Sequence, residues 1–258
     1  MVWASALLPQ SAAAVAGSAE APFRYYSVLD GLTQSEVYDI EQDAAGYLWF
    51  TTARGLNRYD GREFQQYTIA DGLPTNSLTA LHINADNTVW VGDVRGGISI
   101  VRGARVVHAI EPMTGSNAAI LDIETIDDRV FAIVEGQGVA EIVSTGGWFE
   151  FALIAATADI AVTDIAVMND TLWLVSGTGL YRFSSAADPS LALIDSDIRH
   201  LAAGVAGNLW VADANGTISS VIDDAVMTVV EVDVKNEVVS IAATVDERVW
   251  ISSKNELF

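Results

Sequence analysis

The sequence predicts an all-β fold, a β-propeller of about six four-stranded antiparallel blades. Three observations carry this. A large aromatic residue recurs as Trp49, Trp90, Phe131, Trp173, Trp210 and Trp250, at intervals of 41, 41, 42, 37 and 40 residues. Glycines recur in step with it at positions 55, 96, 138, 179 and 216. Between these markers lie short apolar runs separated by Asp, Asn and Gly turns. A period of roughly 40–45 residues built from short strands is that of propeller blades.

The first unit shows the plan. Val37 to Gln42 alternates apolar and polar residues and reads as a strand. Asp43 to Gly46 is turn-forming, and Tyr47 to Thr52 is a second strand centred on Trp49. Arg54-Gly55 turns the chain into a third strand, Leu56 to Tyr59, and Asp60-Gly61 makes the hairpin to a fourth, Glu63 to Thr68. In the second unit the strands are Leu78 to Ile83, Val89 to Val91, Ile98 to Val101 and Val106 to Ile110. Residues 120–155, 162–194 and 198–232 hold three more units. The repeated aromatic residue fills the wedge between neighbouring sheets, and the repeated glycine supplies a backbone angle that other residues resist.

The last unit runs from Val238 past Trp250 and stops at Phe258, where only three strands fit. Two readings stay open. Residues 23–32 parallel residues 64–73, so the N-terminal segment can serve as the missing fourth strand and close the ring near Leu257. Alternatively the chain is a C-terminally truncated fragment of a seven-bladed ring, whose open edge favours association as a homodimer.

Composition narrows the function classes. Of 258 residues, 51% are hydrophobic and 18% charged, enough for a large core. The absence of cysteine excludes disulfides, thiolate metal sites and cysteine nucleophiles. A formal charge of −21 argues against nucleic acid and anionic lipid as partners. Residues 1–21 read as a leader with the apolar and cleavage regions of a secretory signal, leaving residues 22–258 as the propeller. A secretory signal on a cysteine-free chain fits a bacterial periplasm.

The first unit resembles the two-component regulator propeller repeat. Val37, Ile40, Asp43, Gly46, Leu48, Trp49, Thr52, Gly55, Leu56, Arg58, Tyr59, Asp60, Gly61, Phe64 and Tyr67 carry the resemblance, preceded by Leu29 to Gln34. It is strong over residues 23–100 and weaker beyond. Members of that family are periplasmic sensor regions of membrane-spanning receptors. The resemblance therefore implies an input domain rather than a signalling enzyme, with C-terminal signalling domains in the parent protein and no cofactor. A secreted propeller lyase or hydrolase acting on a glycan is the alternative.

Two sets of residues are candidates for function. On one face, loops between the second and third strands contribute Arg54, Arg95 and Lys254, and loops between blades contribute Gln34, Asn76 and Asn236. Arginine can grip a carboxylate or sulfate through two parallel hydrogen bonds, so a small-molecule or oligosaccharide ligand, especially an anionic one, suits this face. The other set lies on the innermost strands. Asp39, Asp122, Asp164 and His200 occupy equivalent places, with Ala80 and Ser240 completing the series. These four side chains could hold a hard cation or ordered water, or exchange protons. The plainer reading is that each caps a backbone group. His82 and His108 fall outside this series and read as surface or satisfied core residues.

Overall fold

The computed structural model describes residues 24–253 except 104, 114–115, 185–189, 205–206, 223–224, 232–237 and 244–248. The leader, Lys254, Asn236, Phe23 and Leu257 thus lie outside the described residues. Blade one comprises β1 (Asp39–Gln42), β2 (Leu48–Thr52), β3 (Gly55–Tyr59) and β4 (Phe64–Tyr67). Blade two comprises β5 (Leu78–Ile83), β6 (Val89–Asp93), β7 (Ile98–Arg102) and β8 (Arg105–Ile110). Blade three comprises β9 (Ile120–Ile126), β10 (Arg129–Val134), β11 (Gly138–Thr145) and β12 (Trp148–Leu153). Blade four comprises β13 (Val162–Met168), β14 (Thr171–Ser176), β15 (Gly179–Ser184) and β16 (Ser190–Asp195). Blade five comprises β17 (Ile198–Ala203), β18 (Leu209–Asp213), β19 (Thr217–Ile222) and β20 (Ala225–Glu231). A sixth sheet shows β21 (Val238–Ala243) and β22 (Val249–Ser253). Among the described residues every pairing is antiparallel between consecutive strands, giving five four-stranded sheets and one two-stranded sheet. Among the described residues, helix is confined to three short 3-10 turns.

The core lies between blades. The first strand of each blade packs on the first strand of the next, and each second strand packs there too. Trp49 joins Leu56 and Tyr67 against Leu78, Leu81 and Val91 of blade two. Trp90, Phe131 and Trp173 fill the following three wedges. Trp210 flanks the fifth, between blades five and six. Trp250 is 37% exposed, against 3% for Trp49, because no described blade covers its face. All five marker glycines have positive φ, between +92° and +134°. At Gly55 a Cβ would stand 2.6 Å from the carbonyl oxygen of Tyr67, so the tight turn after β2 also needs the missing side chain.

The N-terminal segment takes a definite place. Ser27 caps a 3-10 turn, Val28–Asp30, and Thr68 caps its counterpart, Ile69–Asp71, each closed by a reciprocal capping box and a left-handed glycine. Residues 24–27 are not in a strand. Tyr26 instead packs edge-on against Tyr59 and Phe64, and Gly31 lies against Phe64. Tyr67 and Gly72 meet Val101 and Val106 of blade two in the same way. Residues 24–32 therefore sit against blade one where 65–73 sit against blade two, the position of an outer strand of a preceding blade. Among the described residues, β1 and β21 do not pack together as the other neighbouring inner strands do.

Candidate functional site

The innermost strand of each blade is a sheet edge, whose free N–H and C=O groups need partners. Side chains of the neighbouring blade supply them. Asp39 accepts the amide of Ile40 at 2.7 Å through Oδ1 and that of Leu81 in blade two at 2.8 Å through Oδ2. Glu41 accepts the amide of Ile83 at 2.8 Å. Asp122 accepts Ile123 at 2.8 Å and Ile165 of blade four at 3.2 Å. Asp164 stands beside the Leu201 amide of blade five and the Asp122 carboxyl of blade three, both of which act on its charge. His200 donates from Nε2 to the Val238 carbonyl of blade six at 3.0 Å. The four channel residues expected from sequence all lie along this inner surface, and the capping role describes their contacts.

A β-bulge sets the aim of each one beyond blade one. Pairing shifts by a residue between Leu78 and Ala80, Ile120 and Asp122, Val162 and Asp164, Ile198 and His200, and Val238 and Ser240. The extra residue turns the next side chain inward. One such extra residue, Thr79, adds a further stitch, donating to the Ile120 carbonyl at 2.6 Å.

Two residues further along, a second tier converges. His82 of blade two places Nδ1 3.5 Å from Glu41 of blade one and 3.7 Å from Glu124 of blade three. Its Nε2 is 3.0 Å from the Thr125 hydroxyl. His82 is thus a largely buried histidine with its polar atoms satisfied, one of the two sequence readings, and it joins three blades. Glu41 and Glu124 were missed. The available signal was the strand period of two, which puts residue n+2 on the face of Asp39, Ala80 and Asp122. His108 is a surface residue, edge-on to Phe149 at 5.5 Å.

Crowding of acids in a partly desolvated channel raises their pKa values. Burial, with the charge of Glu41, lifts Asp39 to about 6. Burial lifts Glu124 to about 7 despite the opposing influence of His82. Asp164 rises to about 7, burial outweighing its hydrogen bonds. Burial and the charges of Asp164, Glu124 and Asp39 push Asp122 well above the carboxylate range. For His82, burial opposes the proton, but Glu41 and Glu124 outweigh it and the imidazole pKa is raised. The arrangement can store and release protons near neutrality. Among the described residues, no group of three acidic or imidazole side chains has a metal-holding arrangement.

The predicted loop face is less assembled. Arg54 is exposed in the turn after β2. Arg95 donates to the Pro74 carbonyl at 3.0 Å and lines a pocket of about 150 Å³ with Asp93, Glu111 and Asn117. Asn76 accepts the Ile69 amide at 2.8 Å, so its carbonyl shapes the loop. The side-chain oxygen of Gln34 is buried without a hydrogen-bond partner. A larger pocket, about 260 Å³, lies on blade one beside Tyr47, Arg58, Asp60 and Glu63. There the Arg58 guanidinium stands 3.6 Å over the Tyr47 ring.

Residues 31–54 match the two component regulator propeller family. The chain carries a two component regulator propeller repeat. Over a stretch of 45 residues it is 51% identical to Histidine kinase P4 of Formosa agariphila, a match covering 17% of this chain and 3% of the kinase. The propeller as a whole is similar to virginiamycin B lyase of Staphylococcus aureus, with a TM-score of 0.69 at 15% identity over 88% of this chain and 80% of the lyase. It is also similar to an extracellular domain from B. thetaiotaomicron described as that of a one component system (TM-score 0.66, 17% identity, 86% of this chain and 33% of that one). PorZ, a surface component of the type-IX secretion system of Porphyromonas gingivalis, gives a TM-score of 0.66 at 14% identity, covering 90% of this chain and 32% of PorZ. At such identities these structures speak to the fold.

Proposed function

We propose that this chain is the extracytoplasmic input propeller of a bacterial signal-transduction receptor, which reads a ligand and passes the change to signalling domains elsewhere in the parent protein. The 51% identity to a histidine kinase over 45 residues, together with the family match of residues 31–54, carries this reading. The likeness to an extracellular domain of a one component system supports it. The binding face assigned is that of Arg54 and Arg95, where loops on a rigid scaffold present cationic groups on a protein of net charge −21. Gln34 and Asn76 lie in loops of the same set, and Lys254 and Asn236 belong to it by blade equivalence. The ligand class is a small anionic molecule or acidic oligosaccharide.

Calorimetric titration with a panel of acidic oligosaccharides and small carboxylates tests the assignment. The double change Arg54→Ala and Arg95→Ala weakens binding by about tenfold or more, and added salt weakens it as well, since each charge-assisted contact contributes about 1.5–3 kcal/mol when desolvated. A ligand indifferent to both overturns the face. Release of new reducing or unsaturated sugar ends during the same incubations would replace the sensor reading with a glycan lyase or hydrolase.

A further inference from the structure

Carboxyl groups facing one another across blade boundaries are an unusual way to hold a ring together. On blade one the channel presents Asp39 and Glu41, and on blade two His82. Blade three presents Asp122 and Glu124, and blade four Asp164. Beyond them, blade five contributes His200, bonded to the Val238 carbonyl, and Arg199, whose guanidinium is held by the Ser196 and Ile198 carbonyls. Blade six contributes Ser240. The Lys and Arg side chains that neutralise most buried carboxylates are thus missing from the inner faces of blades one to four among the described residues. Protons take their place.

Two contacts depend directly on those protons. Asp122 of blade three and Asp164 of blade four lie close enough to influence each other's charge, and two facing carboxyl groups attract only while one of them holds a proton. The Glu41–His82–Glu124 contact joins blades one, two and three, and it attracts fully only while the imidazole carries its second proton. When the protons leave to water, the first pair becomes two facing negative charges. The second becomes two carboxylates across a neutral ring. Among the described residues neither loss is offset by a cation close by, and the same inner strands carry the amide bonds to Leu81, Ile83 and Ile165.

We propose that the channel is a proton-loaded latch, which grips blades one to four together in mildly acidic medium and slackens them in neutral to alkaline medium. The raised pKa values of Asp39, Asp122, Glu124, Asp164 and His82 all act in one direction. Each makes the folded ring bind protons more tightly than the unfolded chain does, so each contributes stability that fades as pH rises through the folded value. Because the sites interact, the loss is a shared transition rather than separate steps.

Thermal unfolding of the full chain near pH 5 and near pH 8, at matched ionic strength, tests the latch. The wild type is expected to melt higher at the acidic pH. Asp164→Asn and Glu124→Gln, which imitate the protonated groups without titrating, raise Tm at the alkaline pH by about 2–4 °C and narrow the difference between the two conditions. Glu135→Gln, removing an exposed carboxylate in the turn after β10, leaves that difference in place. The proposal is overturned if both channel variants keep the full wild-type difference, or if Glu135→Gln narrows it as much as they do. Should the channel variants not fold, hydrogen exchange of the wild-type Ile83 and Ile165 amides decides. Protection relative to the intrinsic rate falls about tenfold or more towards the alkaline pH if the latch exists, and unchanged protection refutes it.

Discussion

The Asp39 carboxylate accepts the Leu81 amide at 2.8 Å, and the two residues belong to different blades. Leu81 is only 1% exposed, so its N–H has little recourse to water. Asp39→Ala should therefore cost about 1–3 kcal/mol, the usual consequence of leaving a buried donor unpaired. Asp39→Asn keeps an acceptor oxygen and should cost less. Urea midpoints of the two variants make the comparison. Equal effects would mean that the bond itself carries little.

The repeated tryptophans should not be equivalent. Trp49 is buried between blades one and two, donates from Nε1 to Asp43 at 2.9 Å, and stacks on Tyr67 at 5.6 Å between ring centroids. Trp49→Ala is expected to cost about 3–5 kcal/mol. Trp250 holds the matching place in the sixth sheet but is 37% exposed, and Trp250→Ala should cost about 1 kcal/mol or less. Denaturant titrations read by far-ultraviolet circular dichroism, which do not rely on tryptophan fluorescence, test the contrast.

Removing residues 24–32 should lower Tm. The segment buries Leu32 to 5% exposure, joins Tyr26 to the Tyr59 hydroxyl at 3.2 Å, and leads into Thr33, which exchanges hydrogen bonds of 2.9 and 2.8 Å with Asn57. Leu32→Ala alone is expected to cost about 2–3 kcal/mol. An unchanged melting temperature on deletion would show that the segment contributes nothing to blade one.

Stability should peak on the acid side of neutrality. Asp213 and Asp86 have lowered pKa values. Burial opposes the shift at Asp213, but the Thr217 and Asn215 amides that it accepts outweigh it. At Asp86 the main cause is the hydrogen bond from Thr88. Depressed carboxylates stabilise above their unfolded pKa and lose that contribution as pH falls through the folded value. The channel acids and His82 act in the opposite sense above about pH 6. Calorimetric Tm values across the range should show a maximum between about pH 4 and about pH 6. A maximum above neutrality would contradict the sign of the channel shifts.

The blades were legible in the sequence because each carries its own local signals. The aromatic marker, the glycine that needs positive φ and the Asp43-type turn act within one blade, so spacing alone reveals them. The strand limits of blade one differ from expectation by no more than two residues at either end, as with β1, which starts at Asp39 rather than Val37. The likeness between residues 23–32 and 64–73 was also readable, but it pointed to a missing strand, whereas the structure shows matching capped turns at Ser27 and Thr68. Where residues 24–32 would rest was another matter, since their partners Tyr59 and Phe64 lie over thirty residues away.

The channel divides in the same way. Asp39, Asp122, Asp164 and His200 could be picked out by blade equivalence, because the inner strand begins at the same phase in every unit. Glu41, His82 and Glu124 could not be recognised as one cluster, since nothing in a single strand says that three blades will bring them to 3.5 and 3.7 Å of one imidazole nitrogen. That convergence depends on the bulges before Ala80 and Asp122, which shift register by a residue and so decide which side chains face the channel. The sequence by itself thus determined the repeat, its turns and the wedge-filling aromatics, all set by short-range sterics and the period of the strand. Only the tertiary structure decided the proton-holding channel, because a pKa depends on the charges and solvent that distant segments place around a group.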